Sequence, residues 1–173
     1  MRPVVKPLFV ALLSLSAAVA AQQPASAPQQ RPATQPARAP QPAQTLTPAQ
    51  QAQLQKQNAD MTRAAQQVIA LVDGNRIGEV WDGASATMKR AVPRDEFVKQ
   101  VTIDRNRLGK PQNRGSAGVS RAQYPAGQRV PEGIYINVAT PTKFANNAQP
   151  VRELVSFRLD EDRTWRVSGY SLR

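Results

Sequence analysis

The sequence predicts an α+β fold, with N-terminal helices packed on a curved antiparallel sheet of about four strands. Two observations predict it. Between Met61 and Leu108 apolar residues return every three or four positions, whereas beyond Gly109 they return every second position. Helices first and strands afterwards segregate the helices to one face of an antiparallel sheet.

The chain of 173 residues opens with a leader. Arg2 and Lys6 form a basic start, Leu8 to Ala18 an apolar run, and Ala18-Val19-Ala20 a small-residue cleavage site, so residues 1–20 read as a secretory signal cut after Ala20. That apolar run is roughly ten residues long against the ~20 needed to cross a bilayer. No cysteine follows to accept a lipid. The expectation is therefore a periplasmic or secreted protein with no stable membrane insertion after cleavage. Retention of the leader as an anchor is the rival outcome.

Residues 21–58 are dominated by Gln, Pro and Ala, as in "AQQPASAPQQRPATQPARAPQPAQ". Such composition buries too little apolar surface to offset its ordering entropy. A disordered spacer is expected, held semi-extended by its prolines. Thr47-Pro48 nevertheless has the form of a helix start, a capping threonine followed by Pro at the first helical position, so a helix beginning there is a competing expectation.

The folded domain is expected over residues 59–173. Met61, Ala64, Ala65, Val68, Leu71 and Val72 line one face of a first helix, which Gly74 is expected to end in a left-handed conformation. A short helix carries Ile77, Val80 and Trp81. Ser85 caps a third turn containing Met88, and Pro93 opens a fourth helix with Asp95 and Glu96 in its first turn and Phe97, Val101 and Leu108 on one stripe. Strands follow: a weak one over Arg114 to Tyr124, "GIYINVATPTKF", "VRELVSFRLD", and a last one from Thr164 to Leu172 entered through the acidic turn Asp160 to Arg163.

Chemistry is sparse. The chain has no histidine and no cysteine, which removes the commonest general base, Ser-His-Asp and Cys-His constellations and ordinary zinc sites. No nucleotide fingerprint, metal cluster or cofactor motif is present; Asp160 to Arg163 is too short for a calcium loop. Ser85 and Lys89 share a helical face, but a serine at a helix start is wanted by backbone N–H groups, and Trp81 has core spacing. The sequence assigns no catalytic residue and no metal ligand.

Glu153 breaks a local rule. It alternates with Val151, Val155 and Phe157, so a regular strand aims it at the apolar face, where a carboxylate is costly unless paired. One reading places it at a strand end, in solvent or beside an arginine. The other places it in a ligand cavity lined by Tyr135, Phe157 and Trp165.

The ordered series Ala65, Val68, Leu71, Trp81, Ser85, Lys89 and Phe97, followed by Trp165-Arg166-Val167-Ser168-Gly169-Tyr170, resembles the domain-of-unknown-function 4019 family of small exported bacterial proteins. The helix order and the terminal meander are also similar to the cone-shaped nuclear-transport-factor-2-like superfamily. That resemblance implies a cone-like sheet and a homodimer through its outer face, and it implies no catalytic residue. In a small isomerase-like enzyme of that shape, Glu153 would be the acid or base and Tyr135 or Tyr170 the hydrogen-bond donor.

Without Arg2 and Lys6 the chain carries 21 basic and 12 acidic residues, a charge of +9. Export turns that charge away from nucleic acid and toward an envelope protein, a glycan, a small ligand or an anionic surface. Three functions follow as expectations: a non-enzymatic binding or accessory module of the envelope, the small cone-cavity enzyme, and a basic structural protein that coats anionic surfaces.

Overall fold

The computed structural model describes residues 46–173. The expected signal (1–20) and most of the expected spacer (21–45) lie outside the described residues. Four helices, α1 (Pro48–Asp73), α2 (Ile77–Asp82), α3 (Ala86–Ala91) and α4 (Arg94–Leu108), precede five strands, β1 (Pro111–Arg114), β2 (Gly118–Tyr124), β3 (Gly133–Phe144), β4 (Val151–Leu159) and β5 (Trp165–Leu172). The fold is α+β.

Helix α1 begins where Thr47-Pro48 marks a start, so the stretch up to Asn58 that composition assigns to the spacer is helical. A capping box explains it. The Gln50 amide donates to Thr47 Oγ1 at 3.3 Å, and the Thr47 amide donates to Gln50 Oε1 at 2.9 Å. The C-terminus of α1 departs from expectation: Gly74 has φ −79°, and the left-handed residue is Asn75 at φ 57°. Asparagine tolerates that conformation through its short polar side chain.

All strand pairings are antiparallel, in the order β1-β3-β4-β5, with β2 also bonded to β3. β1 pairs with the Thr142–Phe144 end of β3 and β2 with its Gly133–Ala139 end. The single weak strand expected over Arg114 to Tyr124 is therefore two strands parted at Gly115-Ser116-Ala117. Gly115 lies against Pro141, where an added Cβ would come within 2.9 Å of the ring, so only glycine lets the chain turn there without displacing it.

One face of the sheet carries the core. Ile136, Val138 and Phe144 of β3, Val155 and Phe157 of β4 and Val167 of β5 bury against Ala65, Val68 and Ile69 of α1 and Phe97 and Val101 of α4. Each fully buried aliphatic or aromatic side chain among them contributes about 1.5–3 kcal/mol. The period of two sends Arg152, Leu154, Ser156 and Tyr135, Asn137, Ala139 to the opposite face. Near Phe157 the β4–β5 register shifts, so that Ser156 faces Gly169 while Phe157 faces Val167, leaving Ser168 as the extra residue.

Candidate functional site

Ser85 is fully buried, and its Oγ accepts the Met88 amide at 3.1 Å, capping α3. The Ser85 amide donates to the Val167 carbonyl of β5 at 2.8 Å, tying the cap to the sheet. Lys89 lies over the Trp81 ring and donates to the Asp82 carbonyl at 2.6 Å, away from the buried hydroxyl. Trp81 packs against the core and donates Nε1 to the Val92 carbonyl at 2.9 Å. Packing and capping thus account for the polar groups of Trp81, Ser85 and Lys89.

Glu153 is fully buried. Its Oε2 accepts Arg114 Nε at 2.8 Å and Thr142 Oγ1 at 2.8 Å; its Oε1 accepts Tyr170 Oη at 2.6 Å and Arg105 Nη1 at 3.3 Å. Asp73 closes the cluster from the end of α1, accepting Arg105 Nη2 at 2.5 Å and Arg114 Nη2 at 3.0 Å. Two carboxylates and two guanidiniums balance, and the acceptor capacity of Glu153 is filled. The Arg105 guanidinium also stacks 5.0 Å from the centre of the Phe144 ring.

The electrostatics follow from that enclosure. Burial pushes the Tyr170 phenol well above its ordinary range, and the Glu153 charge beside it pushes the same way, so the phenol stays protonated and donates. For Arg114, burial opposes the charge, but hydrogen bonds to Glu153 and Asp73 outweigh it and the guanidinium is held more firmly protonated than usual.

The four sequence-predicted ligand residues do not converge. Tyr135 is on the other face of the sheet from Glu153, donating to the Pro131 carbonyl at 2.8 Å and standing edge-on to Tyr124 with ring centres 5.5 Å apart. Phe157 shares the Glu153 face but is buried in the core, where it pairs with Ile136 and Val167. Trp165 lies at the far end of that face, beside a groove of about 470 Å³ formed with Leu46, Leu54 and Met61 of the α1 side. The shared cavity expected around Glu153 is thus replaced by a packed ion network. A one-residue offset in strand facing separates Tyr135 from the other three. Of the alternatives for Glu153, pairing with arginine is observed and exposure to solvent is not.

Sequence reasoning missed the partners Asp73, Arg105, Arg114 and Thr142. One signal could have found Arg105: it stands four residues after Val101 and three before Leu108, an arginine on an apolar stripe. An unmatched cation on a buried helix face answers an unmatched anion on a buried strand face.

The open face holds a different arrangement. A groove of about 570 Å³ is floored by Leu154, Ser156, Asn137 and Gly169, walled by Tyr124, Tyr135 and Pro131 on one side and Met88 and Ala91 of α3 on another, with Arg152 and Arg173 at its end. Its lining contains no acid among the described residues.

A family model described as "Protein of unknown function (DUF4019)" matches residues 64–170. No curated protein and no solved structure matches the chain.

Proposed function

The chain belongs to the DUF4019 family of proteins of unknown function, and from that premise we propose that it is an exported, non-enzymatic binding or accessory module of the bacterial envelope. One observation carries the non-enzymatic part. Both oxygens of Glu153, the acid best placed for general acid–base work, are engaged by Arg105, Arg114, Thr142 and Tyr170. A base needs a free lone pair within hydrogen-bond reach of a substrate, and this carboxylate offers none. The isomerase-like reading would require the network to open.

The export part rests on the leader of residues 1–20 and on the lack of cysteine. No helix among the described residues is long and apolar enough to cross a membrane. The excess of basic residues favours anionic partners, and the open-face groove supplies a shaped surface for recognition beyond bare charge.

The test is expression of the full chain, with its own N-terminus, in a bacterium. We expect a chain beginning at Ala21 in the osmotic-shock fraction, and retention of an envelope component on the immobilised protein that persists in about 0.5 M salt. An uncleaved cytoplasmic chain overturns the export reading. Retention that vanishes with salt replaces the binding module with the basic coat protein.

A further inference from the structure

On the open face of the sheet, Arg152 of β4 and Arg173 after β5 are a directly opposed backbone pair: the Arg152 amide donates to the Arg173 main-chain oxygen at 2.7 Å, and the Arg173 amide returns the bond at 3.0 Å. Like charges directly across a strand pair repel. Neither guanidinium has an ion-pair or hydrogen-bonding partner among the described residues, although other arginines of the sheet, Arg114, Arg158 and Arg166, each hold a carboxylate. Arg173 also borders a neighbouring depression containing Glu96 and Asp104, without an ion pair to either. No acidic side chain lines the groove where the two arginines stand.

A second observation lies in the same groove. Ser168, the extra residue of the β4–β5 register shift, has its Oγ buried with no hydrogen-bond partner among the described residues, and it lines the groove. A buried orphan hydroxyl costs free energy unless something reaches it. Beside it Gly169 leaves open space, because a Cβ there would meet nothing nearer than the Ser156 Cβ at 4.0 Å. Behind these polar groups the walls are apolar: Leu154, Met88, Ala91, Pro131 and the Tyr124–Tyr135 pair.

We infer that this groove binds a small amphipathic carboxylate, its headgroup on Arg152 and Arg173 and its apolar body along Leu154 toward the two tyrosines. The inference deepens the binding-module reading and rests on it. Paired guanidiniums match the planar carboxylate through two-pronged hydrogen bonds, and a bound anion also relieves their mutual repulsion. A volume of about 570 Å³ is within the range that holds small organic ligands. The ligand class is an aliphatic or aryl carboxylate, distinct from a purely charged anion because most of the lining walls are apolar.

The probe is decanoate, titrated by calorimetry into the full chain, with decanol and acetate as controls. We expect saturable decanoate binding, affinity for decanol at least about ten-fold weaker, and no measurable acetate binding, since the loss of charge-assisted hydrogen bonds is roughly a ten-fold effect or more. Arg152→Gln weakens decanoate by about ten-fold for the same reason. Gly169→Val obstructs the groove and abolishes binding in a variant whose cooperative thermal unfolding shows it folded, the added Cβ meeting nothing nearer than the Ser156 Cβ at 4.0 Å. Equal affinity for decanol, full binding by Gly169→Val, or no decanoate binding overturns the inference. If decanoate fails while an envelope component is still retained on the protein, the binding-module reading stands and only the carboxylate site falls.

Discussion

Arg152 and Glu153 are neighbours in β4, yet they belong to opposite worlds. Glu153 is sealed in the core face between two arginines, a threonine and a tyrosine; Arg152 stands on the open face opposite a second arginine and over a groove with no acid in its lining. The strand's period of two makes the division. What differs is compensation. On the closed face four charges balance and every acceptor is used, so the chemistry is spent on holding α1, α4, β1, β3, β4 and β5 together. In the open-face groove the charged side chains, Arg152 and Arg173, are of one sign and a hydroxyl is orphaned, so the chemistry is left for something outside the chain.

The largest way to break that contrast is to empty the closed face. Glu153→Gln leaves Arg105 and Arg114 inadequately neutralised in a buried site, and a loss of about 3–5 kcal/mol in unfolding free energy is expected by urea denaturation. A neutral outcome would mean that the network contributes nothing and Glu153 is free for another role. Next, Tyr170→Phe removes the shortest hydrogen bond to that carboxylate and lowers stability by about 1.5–3 kcal/mol.

The same substitution has a pH signature. Because Tyr170 is raised by burial and by the Glu153 charge, the folded state keeps a proton that the unfolded state gives up, so stability is fully present below the ordinary tyrosine range and falls as pH climbs above about 10. Tyr170→Phe flattens most of that alkaline limb. Tyr135, also raised chiefly by burial, leaves a smaller residue of it. Equal alkaline limbs in the two proteins, measured as thermal midpoint against pH, would place the phenol in a solvated site.

Smaller effects sharpen the comparison. Ser85→Ala removes the α3 cap and is expected to lower stability by about 1 kcal/mol, with no loss of ligand or partner retention, since its hydroxyl serves the Met88 amide. Arg152→Gln is expected to change stability by under about 0.5 kcal/mol, in the direction of a gain because it relieves the opposed pair with Arg173. A large loss would reveal a partner for Arg152 and remove the contrast with Glu153.

The fold class was legible because the change from a three-to-four spacing to a spacing of two falls at Gly109, and the inward facing of Glu153 was legible from the same alternation. Ser85 as a cap and Asp160 to Arg163 as a hairpin turn were legible from local chemistry; Asp162 accepts the Thr164 amide at 3.0 Å in that turn. What lay beyond reach was long-range pairing. Arg105 and Arg114 are 48 and 39 positions from Glu153, and nothing local states which arginine of 14 within the described residues will meet it. The break at Gly115 was hidden as well, because it depends on contact with Pro141 of another strand. Tyr135 and Glu153 suit one ligand site by chemical type, but which positions of adjacent strands share a face depends on a register that the sequence does not print. The groove contains Ser168, which lies at a register shift with no local signature.

The most direct measurement is a double-mutant cycle in urea, pairing Glu153→Gln with Tyr170→Phe and, separately, with Arg152→Gln. A coupling of about 1–3 kcal/mol is expected between Glu153 and Tyr170, which are 17 positions apart, and near-additivity between Glu153 and its immediate neighbour Arg152. Additivity in the first pair, or strong coupling in the second, would contradict the division of the sheet into a face that holds the fold and a face left open for a ligand.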